Sequence, residues 1–413
     1  QELAKDTTLA RTVVVEQEYD PNIRDAAKVN VLPRIEEPTV SKKAVEYNET
    51  LQPASRLPIG TMRPYVIREK QDKTKAGYAR LGYGIYNNLD ARANYLFTLS
   101  QKDRLNVTFT MDGRNGDLDM GEGVEDWKSR YYRTQARVDY LHNFRTLNLN
   151  VAGNFGLHNF NLQPGMTANK QKFTSGDVHV GVASTDKNLP VQFKAETNLM
   201  FYQRQNGFTY DRPLKDIGET LLRTKANVQG SISEKSSIGL GFDMDNFFYD
   251  GLAYSSNDNS QSYSEIRLSP HYLYQHNGWD IRLGAHLDVL LGVRSGDWLV
   301  DRLLLSPDIK VQYTFADKYR AYLQITGDKQ ANDFRRLEQT DPYANSPYFM
   351  TSTYEFFNAA LGIKGSPVSG LWFHAFGGVQ SLLNDLYSED YASSAWSDWF
   401  YQDDIYNSYV GVE

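Results

Sequence analysis

The chain has 413 residues, no cysteine and a formal net charge of -7 at pH 7. The absence of cysteine excludes a disulfide scaffold, thiolate catalysis, a Cys-rich zinc site and a lipid-bearing N-terminal cysteine. Basic clusters such as Lys42-Lys43 are too short to track a phosphate backbone, so no nucleic-acid partner is expected. Only 40% of residues are hydrophobic and the mean hydropathy is -0.56, yet aromatics reach 13%, with 28 Tyr and 20 Phe. That mixture suits strands that are apolar at every second position only, with Tyr and Trp at membrane rims. No apolar run approaches the roughly 18 residues of a spanning helix.

Residues 1–74 read as an extended, Pro-rich arm. Pro21, Pro33, Pro38, Pro53, Pro58 and Pro64 recur through a charged stretch without a sustained period. The chain starts at Gln1 without a basic and apolar leader, as expected of a mature exported form. Within the arm, Thr12, Val13, Val14 and Val15 form a short β-prone run that can add as a strand to a partner sheet.

From Ala76 a regular pattern begins. Ala91, Ala93, Tyr95, Phe97 and Leu99 alternate with Arg92, Asn94, Thr98 and Ser100. The same division follows in Leu105, Val107, Phe109 and Met111, and in Tyr132, Ala136, Val138 and Tyr140 against Arg133, Gln135, Arg137 and Asp139. Further on, Val191, Phe193 and Ala195 alternate with Lys194 and Glu196, and Leu222, Ala226 and Val228 with Arg223 and Lys225. Ile281, Leu283, Leu287 and Val289 alternate with Asp280, Arg282, His286 and Asp288, and Ile309, Val311 and Tyr313 with Asp308 and Lys310. Successive side chains of a strand point to opposite faces, so each run has one lipid-facing and one lumen-facing set.

Short turns are expected at 100–103, 142–145, 185–188, 233–236, 276–278, 315–318 and 366–370. Long connections are expected at about 112–127, 159–172, 203–219, 249–262, 328–352 and 383–402. Short turns at one rim and long loops at the other mark an outer-membrane barrel, with the short turns in the periplasm. The predicted fold is therefore all-β: a transmembrane antiparallel β-barrel of about 14–18 strands over residues 75–413, with the N-terminal arm in the periplasm. The last strand, Tyr406–Glu413, is short and lacks a terminal aromatic residue, as expected if the sequence stops before the natural C-terminus or the final strands are irregular.

The alternation, the N-terminal Gln and the Tyr-rich first strand Ala76-Gly-Tyr-Ala-Arg-Leu-Gly-Tyr83 resemble the TonB-dependent-receptor-like barrels of Bacteroidota. The resemblance covers the barrel portion and is one of texture. Thr12–Val15 is similar to the short TonB box of such receptors, which implies TonB-linked uptake. The chain departs from the receptors in having only a short Pro-rich stretch, and no recognisable plug domain, between that run and the first strand.

The lumen-facing positions Arg92, Arg133, Arg137, Asp139, Lys194, Glu196, Arg223, Lys225, Asp280, Arg282, His286, Asp288, Asp308 and Lys310 carry both signs. Facing acidic and basic staircases select solutes by charge and size, whereas pairing across a narrow lumen leaves no flux. In the acidic loop after Asp112, the carboxylates Asp117, Asp119 and Glu122 stand at spacings open to a calcium ion, without the EF-hand template. A second aromatic and acidic stretch, from Asp385 through Trp396, Asp398, Trp399, Asp403 and Asp404, reads as part of the interfacial girdle or as a surface for sugars or a partner.

Catalytic motifs are missing: there is no Gly-x-Ser-x-Gly, no His-Glu-x-x-His and no phosphate-cradling loop. No cofactor is expected. The sequence thus predicts a non-enzymatic outer-membrane channel or passive transporter for small solutes, with a structural subunit of an envelope complex as the alternative. Its expected partners are outer-membrane lipid and lipopolysaccharide, and other envelope proteins through residues 1–74 and the long outer loops.

Overall fold

The structure is a computed structural model, and it describes residues 75–413 apart from 124, 166–167, 187, 208–215, 253–259, 296–297, 317, 348, 369, 391–396 and 403. Thr12–Val15 and the rest of the arm lie outside the described residues. The strands in chain order are β1 (Gly77–Gly84), β2 (Asn88–Thr98), β3 (Asp103–Leu118), β4 (Trp127–Asn143), β5 (Leu147–Asn161) and β6 (Lys170–Ser184). They continue as β7 (Val191–Arg204), β8 (Ile217–Ser233), β9 (Ser236–Asp250), β10 (Ser260–His276), β11 (Trp279–Ser295) and β12 (Trp298–Phe315). After β13 (Tyr319–Gln330) comes a helix, α1 (Phe334–Thr340), and then β14 (Thr353–Val368), β15 (Leu371–Leu383), β16 (Asp385–Asp390), β17 (Ser397–Gln402) and β18 (Ile405–Val412).

Sixteen strands form one antiparallel sheet in the order β1 to β15 and then β18; β16 and β17 pair in a small separate sheet. Each strand pairs with its sequence neighbour because the two-residue period puts like with like across the ladder. Ala91 lies opposite Met111 and Ala93 opposite Phe109, while Arg92 lies opposite Thr110 and Asp90 opposite Asp112. A one-residue slip would put every charge on the apolar face, so burial of one face pins the register.

The apolar face is strongly exposed: Leu81, Ile238, Leu240, Leu283, Leu303, Leu305 and Leu361 all stand out of it. A soluble protein does not carry so continuous an apolar surface. At the short-turn rim the same face ends in aromatic rings, with Trp279 and Tyr313 at 4.6 Å between centroids and Phe315 stacked on Tyr319 at 5.5 Å. This is the position of an interfacial aromatic belt.

The long connections differ from expectation in places. Most strands end within about two residues of the expected loop edges, but β3 runs on from Asp112 to Leu118, so the acidic loop shrinks to the segment between Leu118 and Trp127. At the same rim β11 and β12 are joined through 296–297 alone, and β1 and β2 by the single turn Ile85–Asn87, which uses positive φ at Tyr86 and Asn87. The connection at 383–402 carries the β16–β17 hairpin, and Trp399 is buried in the core cluster rather than belonging to a girdle.

Candidate functional site

The polar face changes character along the strands. On β7, Gln192, Lys194, Glu196 and Asn198 are followed on the same face by Met200, Tyr202 and Arg204, which are buried. On β8 to β11 the corresponding positions are Ile217, Leu221, Phe247, Tyr249, Tyr263 and Leu290, all buried. Alternation predicts a wet lumen to the strand ends. The long-loop third is instead dry because another segment covers it.

That cover is the connection between β13 and β14, with α1 at its centre. Asp333 caps the helix, its carboxylate accepting from the Arg336 backbone N–H at 2.9 Å. Phe334 and Leu337, three apart on one helix face, are buried in the aromatic cluster. Phe334 stacks on Tyr202 at 5.6 Å and meets Tyr249 edge-on at 5.8 Å.

Polar contacts fix the orientation. Arg335 donates to Asp177 at 2.8 Å, the Tyr202 hydroxyl donates to Glu338 at 2.7 Å, and His158 pairs with the same Glu338. The Phe334 N–H donates to Glu219 at 3.1 Å, and Arg204 donates to the Ala344 carbonyl at 2.6 Å. Gln261 exchanges two hydrogen bonds with the Met350 backbone, at 2.7 and 2.8 Å. The small hairpin closes the other side: Ser397 donates to Asp341 at 2.5 Å and Asn345 to Asp398 at 2.8 Å.

The base of this segment is held by a buried charge network. Lys329 lies 3.0 Å from Asp245 and 3.4 Å from Glu265, with all three side chains almost fully buried. Arg223 meets Asp245 at 2.7 Å, and Arg267 meets Asp288 at 2.7 Å and Asp328 at 2.9 Å. Tyr354 donates to Glu265. In so dry a place each charge costs several kcal/mol to desolvate, roughly offset by its partners only while the whole set is intact.

Most of the sequence-predicted residues occur in pairs: Arg92 with Asp90, Arg133 with Asp112, Arg137 with Asp139, Lys194 with Glu196, Lys225 with Asp243, and Arg282 with Asp308. His286 Nδ1 and the Ser269 hydroxyl form a hydrogen bond at 2.8 Å. Asp280 and Lys310 stand in register with Gln312 and Arg282. Asp117, Asp119 and Glu122 are not gathered into a ligand set: Asp117 belongs to β3, opposite Lys128, Asp119 accepts from the Gly121 N–H at 2.8 Å, and no metal-holding group of three occurs among the described residues.

Sequence reasoning missed Asp177, Glu265, Arg267, Lys329 and the helix itself. Glu265 and Arg267 share the alternation of Tyr263 and Ser269, so period alone would have placed them. For α1 the signal was Asp333 before Phe334-Arg-Arg-Leu337, a capping residue followed by an i, i+3 apolar pair.

Two cavities flank α1. One of about 660 Å³ lies against β3 to β7 and is lined by Arg133, Arg137, His158, Asp177, Arg335 and Glu338 among others. The second, of about 380 Å³, is lined by Arg223, Lys225, Asp243, Asp245, Lys329 and Arg336 among others. Burial lowers the pKa of Arg336 from the usual arginine value and raises that of Tyr343 above the usual tyrosine value. Such pockets, polar and of solute size, are able to hold and orient small charged or hydroxylated molecules.

No protein-family model matches the sequence, and no curated protein does so. Among solved structures, the chain is similar to the FrpB iron transporter from Neisseria meningitidis, with a TM-score of 0.62 at 10% identity, over 82% of this chain and 59% of that one. It is also similar to a variant of the ferric enterobactin receptor PfeA from Pseudomonas aeruginosa in complex with enterobactin, with a TM-score of 0.56 at 13% identity, over 81% and 59%. The siderophore receptor PirA from Pseudomonas aeruginosa matches with a TM-score of 0.55 at 9% identity, over 81% and 61%. The chain thus spans less than two thirds of the length of these structures. The likeness is one of fold: the antiparallel sheet has the architecture of TonB-dependent receptor barrels.

Proposed function

We propose that this chain acts as an outer-membrane β-barrel transporter for small solutes, with its polar face along the solute path and the 331–352 segment narrowing that path at the long-loop rim. The observation that carries this reading is α1, docked on the polar face between two charged, solute-sized cavities. The exposed apolar face and the aromatic rim support a place in outer-membrane lipid, against lipopolysaccharide on the outer side. The short-turn rim and the N-terminal arm then face the periplasm.

Reconstitution in planar bilayers tests the reading. The intact chain should conduct weakly, and a chain in which 331–352 is replaced by a short Gly-Ser linker should conduct in large steps. Silence from both sinks it.

A segment packed on the polar face also favours a structural subunit of an envelope complex, and stoichiometric partners retained in mild detergent by a non-conducting barrel support that alternative. The likeness to iron-transporter and siderophore-receptor barrels supports a third, driven form, in which Thr12–Val15 engages a TonB-type periplasmic domain. Unchanged binding of that domain after substitution of Thr12–Val15 removes it.

A further inference from the structure

The 380 Å³ cavity beside α1 has an imbalance in its pairing. Arg223 and Lys329 share Asp245 at 2.7 and 3.0 Å, Lys329 also meets Glu265 at 3.4 Å, Arg267 takes Asp288 at 2.7 Å and Asp328 at 2.9 Å, and Lys225 faces Asp243 at 3.9 Å. Arg336 lines the same cavity and has no carboxylate within ion-pair distance among the described residues. Of the two acids carried by the helix and its N-terminal cap, Glu338 is taken by Tyr202 and His158, and Asp333 turns its carboxylate to the Arg336 backbone N–H.

Arg336 is nonetheless held in place. One of its N–H groups donates to the side-chain oxygen of Asn332. Asn332 is fully buried, and its amide nitrogen is engaged by the Thr351 carbonyl at 2.9 Å and the Thr353 hydroxyl at 3.1 Å, which fixes the oxygen toward Arg336. A guanidinium has five N–H donors in a planar fork, and this is the single side-chain hydrogen bond made by Arg336 among the described residues. Asp385 and Asp333 act on this half-buried cation only from beyond ion-pair distance, so an anion that reaches its free N–H groups adds a direct partner that the fold does not supply. Burial already lowers its pKa from the ordinary arginine value.

We propose that Arg336 is the anchor of an oxyanion subsite, which takes the carboxylate or phosphate of a small solute in its fork, with Lys225 as the second, loosely paired cation. Arginine suits this role because its fork matches two oxygens of one group. The solute assignment rests on the transporter reading; the binding itself does not. A conductance result against transport leaves this binding measurable, and a failure to bind leaves the conductance result standing.

Titration calorimetry on the full chain in detergent, at fixed ionic strength, supplies the test. Sodium succinate and sodium phosphate are titrated separately, with sodium chloride as the reference. The expected result is saturable heat for one or both oxyanions and none for chloride, and the arm that binds identifies carboxylate or phosphate. Arg336→Gln should weaken binding by about tenfold or more, the loss of a charge-assisted pair. Arg336→Lys keeps the charge without the fork and should fall between, and Lys235→Gln, in the short turn between β8 and β9, should bind as the unaltered chain does. Absence of saturable binding to the unaltered chain overturns the proposal. So does Arg336→Gln binding equally well. Intermediate binding by Arg336→Lys separates a lost subsite from a misfolded loop.

Discussion

Arg335 and Asp177, 158 residues apart in the chain, are joined at 2.8 Å, and their pair ties the helix of one connection to the middle of a distant strand. The Asp177 side chain is almost fully buried, while that of Arg335 keeps partial contact with solvent. Arg335→Ala therefore leaves a buried carboxylate with only the Asn154 amide, at 2.5 Å, as partner. A cost of about 1–3 kcal/mol to docking of the 331–352 segment is expected. Limited proteolysis should cut within that segment faster in the variant, with the strands protected as before.

Phe334 should carry the largest single share of the docking. It is 1% exposed and touches both Tyr202 and Tyr249, so Phe334→Ala removes a ring from a packed aromatic cluster. Losses of about 3–5 kcal/mol are usual for such a deletion. Hydrogen exchange read by mass spectrometry should show faster exchange at 334–340 and little change in β7 to β9.

Lys329 offers a test by compensation. Lys329→Met leaves Glu265 without a cation and Asp245 with Arg223 alone in a dry setting, and should destabilise by about 3–5 kcal/mol. Adding Glu265→Gln removes the uncompensated charge. The double variant should recover part of the loss, read as the temperature at which the folded band disappears in heat-modifiability gels. Additive losses would mean that the two groups do not interact.

Membrane placement of the apolar face is tested by a matched pair of charges. Leu283→Arg puts a cation on that face, and Asn227→Arg puts the same cation on the polar face. On the lipid side arginine costs about 2–4 kcal/mol near the bilayer centre. Leu283→Arg should lower the yield of assembled barrel and Asn227→Arg should not; equal yields would argue against lipid on the apolar face.

The β14 side of the sheet illustrates where local pattern stops being a guide. Counted from Thr326, alternation puts Lys329 on the apolar face. The ladder between β13 and β14 shifts register between Thr326 and Asp328, and Lys329 comes to lie among Asp245 and Glu265. One irregularity in the ladder thus sends a cation to the opposite side from that expected, and the signal in the run is a single isolated glycine, Gly327, at the shift.

Strand and face were legible over most of the chain itself, because they follow from a two-residue period that each short segment expresses on its own. Ala91 to Leu99, Leu105 to Met111 and Ile281 to Val289 needed no partner to declare which side was apolar. Only the tertiary structure decided what lies on the polar face at the long-loop rim. Phe334 reaches Glu219 across 115 residues, Glu338 reaches Tyr202 across 136 and Arg335 reaches Asp177 across 158. Contacts at such separations depend on where the ladder of strands delivers each side chain, and a connection that is polar in sequence becomes a dry, anchored cover only once that surface exists beneath it.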